Sequence, residues 1–81
     1  MESFLEKEIT DNLKKGIRME KFGIVTYQDD CDVHFKKIME LKLQHRLAMS
    51  DVEGAVKSYL IQMNCNEAAR KDVWLSILGV A

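Results

Sequence analysis

The residues of this chain best suited to chemistry are two cysteines and two histidines: Cys31, His34, His45 and Cys65. Cys31 and His34 stand three apart, so one helix can turn both toward a single metal ion, and His45 follows about three helical turns later on nearly the same face. Zinc sites, however, announce themselves as two close ligand pairs, and neither His45 nor Cys65 has a second ligand beside it. A thiolate–imidazole nucleophile built from the same residues would need a group to orient the histidine and donors for an oxyanion; the sequence offers neither. The run Asp29-Asp30-Cys31-Asp32 carries the charge of a calcium loop. A loop beginning at Asp30, though, places Phe35 where the sharp turn needs glycine and Leu41 where the ion needs glutamate. Those aspartates suit the start of a helix instead. No glycine-rich turn precedes a helix, which removes the phosphate-cradling loop. The expectation is a non-enzymatic protein with no cofactor and no metal.

A second chemistry is charge. Lys36, Lys37, Lys42, His45 and Arg46 form a basic band, which Lys14, Lys15, Arg18 and Lys21 could extend. The net charge is nevertheless −1, and no aromatic residues interleave with the cations to stack on bases. A helix-turn-helix signal over Val56 to Val80 is weak: a recognition helix is expected after Leu78-Gly79-Val80, and the fourth helix, apolar around most of its circumference, would leave only Arg70 and Lys71 to read DNA. Nucleic-acid binding through the basic band is therefore the alternative reading, and solvated helix faces are the ordinary one.

The elements that must position these residues follow from periodicity. At 47% hydrophobic and 31% charged, the 81 residues suffice for one domain with a core. Two isolated cysteines fit reduced thiols in a cytoplasmic protein. No stretch nears the ~18 apolar residues of a membrane span, and the acidic start (MESFLEKEI) is unlike a signal peptide. Leu5, Ile9, Leu13 and Ile17 make a four-spaced ladder, predicting a first helix over about 3–22. Glu2, Glu6, Glu8 and Asp11 sit at its start, Lys14, Lys15, Arg18 and Lys21 at its end, and Gly23 serves as the left-handed cap. Ile24-Val25-Thr26-Tyr27 reads as an extended connector, able to pair with its own copy, because no second strand is evident. A second helix over about 28–48 carries two apolar ladders: Phe35, Met39, Leu43, Leu47, and beside it Cys31, Ile38, Leu41, His45. Lys42 and Arg46 lie between them. Ser50 with Glu53 forms a capping box for a third helix over 51–63, with Val52, Ala55, Val56, Tyr59, Leu60 and Met63 as its stripe. Asn64 with Glu67 caps a fourth over 65–78, which Gly79 ends. The fold expected is all-α: a single-domain, small four-helix bundle with short connections.

The fourth helix is apolar around most of its circumference, through Val73, Trp74, Leu75, Ile77, Leu78 and Val80, and a helix of that kind is normally buried. Its surplus apolar face, with methionines at 19, 39, 49 and 63, points to binding another protein. Trp74, Leu75 and Leu78 are the expected contact residues, and Lys42 and Arg46 would set register against carboxylates. The functional expectation is a cytoplasmic, self-associating regulator that modulates another protein. A phage-encoded inhibitor, such as a soluble lysis regulator, has this character.

Overall fold

The structure, a computed structural model, describes residues 4–80. The expected helix start at Ser3 and the Glu2 charge lie outside them. Leu5, Ile9 and Leu13 fall on one stripe of α1 (Phe4–Gly16), where Ile9 and Leu13 are buried. The helix stops at Gly16, not near residue 22. The next residues form two short strands instead, β1 (Ile17–Met19) and β2 (Val25–Tyr27). They pair antiparallel with Ile17 opposite Tyr27, Arg18 opposite Thr26 and Met19 opposite Val25. The chain is mostly helical, as expected, and the described residues add a short hairpin between the first two long helices that the all-α expectation did not include.

The reason is a change of period. Beyond Gly16 the sequence alternates apolar and polar as Ile-Arg-Met-Glu, and Val-Thr-Tyr alternates again after the turn, as side chains of a strand alternate between faces. Ile17, Met19 and Val25 pack on the core, while Arg18, Glu20 and Thr26 are linked by hydrogen bonds on the opposite face. Gly16 is the hinge because α1 presses on the next helix there. A Cβ at Gly16 would lie 3.1 Å from the Phe35 ring and 3.5 Å from the Cys31 backbone.

Three further helices follow: α2 (Cys31–Gln44), α3 (Met49–Gln62) and α4 (Glu67–Gly79). Each begins or ends a few residues from where its sequence signals placed it. The Ser50–Glu53 box is not used; Ala48 is the N-cap of α3, without a side-chain bond, and Glu53 instead pairs with Lys57 at 2.6 Å, one turn on. For α4 the cap is Asn66 and not Asn64, with its side-chain oxygen accepting from the Ala69 amide at 2.7 Å. Asn64 and Arg46 have the opposite task. Both adopt left-handed backbone, at φ 61° and 53°, just past the ends of α3 and α2. The following amides reach back five residues, Leu47 to the Lys42 carbonyl at 2.9 Å and Cys65 to Leu60 at 3.0 Å. These are paired-carbonyl helix stops of the Schellman type.

One core joins all elements. Leu13 from α1, Phe35 and Ile38 from α2, Val52, Val56 and Leu60 from α3, and Val73 and Ile77 from α4 are its fully enclosed side chains. Full burial of each such side chain is worth ~1.5–3 kcal/mol. The buried Asn12 is satisfied inside this frame: its amide donates to the Glu8 carbonyl at 2.9 Å, and its oxygen lies 3.3 Å from His34 Nδ1. Among the described residues no helix is long and apolar enough to cross a membrane.

Candidate interaction surface

The hairpin has a three-residue turn, Lys21-Phe22-Gly23, closed by the Glu20 amide bonding the Ile24 carbonyl at 2.7 Å. Two consecutive residues of that turn have left-handed backbone, Phe22 at φ 67° and Gly23 at φ 75°. Gly23 is suited to it and has a second reason to be glycine. Its flank lies against the α3–α4 junction so closely that a Cβ would come within 2.5 Å of the Asn64 carbonyl oxygen. The Gly23 carbonyl there accepts from the Asn66 amide at 3.2 Å. The turn is therefore fastened to the body of the protein and does not hang from it.

Phe22 is the outcome of this arrangement. It is 90% exposed, and the neighbouring Ile24 is 51% exposed on the outer face of the hairpin. Folding gains little from such a phenylalanine: left-handed backbone costs a non-glycine residue roughly 1–2 kcal/mol, and the ring recovers almost nothing by burial. A rigid turn that holds an aromatic ring in solvent has the form of a binding anchor, since buried aromatic side chains dominate protein interfaces.

The residues singled out from sequence are placed differently. Trp74 is only 9% exposed within one chain and packs in the core. Leu78 is half-buried and packs on the same core. Leu75 alone of that trio reaches solvent, at 54% exposure. One stripe of α4, Ala69, Val73, Trp74 and Ile77, is core because α2 and α3 pack against it; Tyr27 of β2 bonds both Asp72 and Ser76. Lys42 is partly covered near the end of α2, and Arg46 is exposed at the left-handed stop beyond it. Lys36 and Lys37 are exposed, and Arg18 is held by Glu20 at 3.2 Å.

The potential metal and thiol chemistry is dispersed. Cys31 Sγ faces Asp32, Cys65 Sγ faces Met19 Sδ at 3.1 Å, and His34 faces Asn12. Among the described residues no three His, Cys, Asp or Glu side chains gather where they could hold a metal ion. Both cysteines are free, and burial pushes both thiols above the ordinary value, with Asp32 adding to the effect at Cys31 and Arg70 opposing it at Cys65. Thiols so shifted are protonated and weakly nucleophilic at neutral pH.

Two depressions mark the surface of the described residues. A shallow groove of about 810 Å³ runs between α1 and α3, past Leu5, Ile9, Gly54, Ala55 and Ser58. A cleft of about 200 Å³ lies between β1 and the end of α3, lined by Ile17, Met19, Tyr59, Leu60 and Met63, with Lys14 and Arg18 at its rim. No family model, curated protein or solved structure matches the chain.

The hairpin anchor was hidden in the sequence by Ile17. That residue completes the four-spaced ladder of Leu5, Ile9 and Leu13, and it is equally the first member of a strand alternation. Gly16, followed by the alternating Ile-Arg-Met-Glu and Val-Thr-Tyr around a turn containing Gly23, was the available signal.

Proposed function

We propose that this chain is a non-enzymatic interaction protein, a small helical bundle of the cytoplasm that binds another protein and modulates it. The observation that supports this is Phe22, an exposed aromatic ring on a strained, fastened turn. The ring would enter an apolar pocket of the partner, and Ile24 would border that contact. Leu75, Lys42 and Arg46 remain candidates for a wider footprint, with the two cations meeting carboxylates.

Backbone strain of this kind persists only where the surroundings impose it, and it concentrates at ligand clamps and switch regions. Interfaces also derive most of their affinity from a few central aromatic anchors. A Phe22→Asn variant separates binding from folding, because asparagine tolerates left-handed backbone and lacks the ring. The variant should melt at or above the wild-type temperature and lose the protein that wild type captures from its native host. Equal capture by both forms would exclude Phe22 as the anchor.

A further inference from the structure

The outer edge of β1 carries a second contact. In an antiparallel pair, residues alternate between those bonded to the partner strand and those whose N–H and C=O point away from it. The bonds from Gln28 to the Gly16 carbonyl and from Glu20 to the Ile24 carbonyl fix this alternation. Gly16, Arg18 and Glu20 face β2, so the backbone groups of Met19 face outward. Beneath that edge lies the apolar cleft against α3.

We propose that two copies of this chain join β1 to β1 across a twofold axis at Met19, forming one four-stranded antiparallel sheet. The edge is complementary to itself in that register. Met19 faces its counterpart and both exchange N–H···O bonds, while Arg18 falls opposite Glu20 of the second copy and Glu20 opposite its Arg18. A twofold at Arg18 or Glu20 is disfavoured, because each would then stand directly opposite its own copy and like charges would face each other. Arg18 and Glu20 already lie on the same outer face, 3.2 Å apart within one copy, so both are positioned to share their charges across the seam. The floor of Tyr59, Leu60 and Met63 supplies an apolar surface under the added strand. A two-stranded sheet is marginal where three or more strands with an apolar face are stable, so the hairpin itself gains from the pairing.

Charge swapping tests the register. In sedimentation velocity, wild type should show a concentration-dependent dimer. Arg18→Glu and Glu20→Arg should each raise its dissociation constant about tenfold or more, as two attractive pairs become repulsive. An equimolar mixture of the two variants should dimerise again, since every facing pair is then Glu against Arg. The mixture cannot repair the Arg18–Glu20 pair within either chain, so recovery reports only the contact between chains. Unchanged far-ultraviolet circular dichroism of each variant shows that the fold is intact. A wild type that stays monomeric at every concentration overturns the proposal, as does a dimer untouched by either variant or a mixture no tighter than its components. Phe22→Asn leaves this pairing in place, so it stands or falls apart from the aromatic anchor.

Discussion

The hydroxyl of Tyr27 lies 2.5 Å from Asp72 Oδ2, and this bond fastens the hairpin to α4. The same ring meets Phe35 edge-on, with centroids 5.9 Å apart. Partial burial, and then the bond to Asp72, push the Tyr27 hydroxyl up from 10.0 to about 12. The folded protein thus holds this proton more tightly than the unfolded chain does. The resulting stability is present in full below pH 10 and is lost as pH rises toward 12. Because the residue is 39% exposed, solvent screening reduces the effect to about 1 kcal/mol. Tyr27→Phe should cost a similar amount at neutral pH and should flatten the loss of stability over that window. Denaturant melts of both forms, with phenolate absorbance followed in wild type, check this; a wild-type Tyr27 titrating near 10 would contradict it.

Helix caps provide a sharper comparison. Asn66 accepts the Ala69 amide at 2.7 Å, so Asn66→Ala should destabilise by about 1 kcal/mol. Ser50 lies inside the first turn of α3 and makes no cap bond, so Ser50→Ala should change stability by less than about 0.5 kcal/mol. Thermal melts of the two variants decide between the observed cap positions and those suggested by the Ser50–Glu53 spacing. Equal losses would mean that Ser50 caps in solution.

Much of this fold was legible because packing and period coincide in α1, α3 and α4. Ile9 and Leu13, Val52, Val56 and Leu60, and Val73 and Ile77 are spaced as helical stripes and are buried as such. Capping residues were less legible. A serine or asparagine near a helix start can serve two or three frames, and which one forms depends on how the preceding chain arrives. Asn64 looked like a start and is a stop, because its left-handed backbone lets Cys65 turn back onto Leu60. The candidate site was less legible still. Tryptophan is a type found in cores and at interfaces alike, whereas Phe22 stands among charged residues where the apolar ladder of the first helix predicts a helix end. Exposure at Phe22 follows from the fit of Gly23 on the Asn64–Asn66 backbone, a tertiary contact across forty residues that no local pattern encodes.

Arg46 ends α2 with φ at 53°, a conformation that glycine adopts freely and arginine does not. Arg46→Gly should therefore stabilise the protein by about 0.5–1 kcal/mol, raising the melting temperature by roughly 2–8 °C for a domain of this size. The Leu47-to-Lys42 bond of the helix stop is a backbone contact and survives the change. If the cation also meets a carboxylate of a partner, the same variant gains stability while losing affinity. A melt showing destabilisation would mean that the arginine side chain does more for the fold than its exposed position indicates.

Two glycines should respond in opposite ways to an added methyl group. At Gly54, on the open groove side of α3, a Cβ meets nothing within 4 Å. Gly54→Ala replaces a poor helix former with the best one and should stabilise by ~0.5–1 kcal/mol. At Gly23 the Cβ would come within 2.5 Å of the Asn64 carbonyl oxygen on backbone at φ +75°. Neither the junction nor the turn is a flexible side chain that can swing aside, so Gly23→Ala should cost more than about 2 kcal/mol through left-handed strain plus the displaced contact. The bond from Asn66 to the Gly23 carbonyl would lengthen or break with it, and the loss should appear first at the hairpin. Hydrogen exchange locates the effect: faster exchange at the Asn66 amide, with the buried amides of α3 still protected, is expected for Gly23→Ala. Unchanged protection at Asn66 would show that the turn is not seated on the α3–α4 junction.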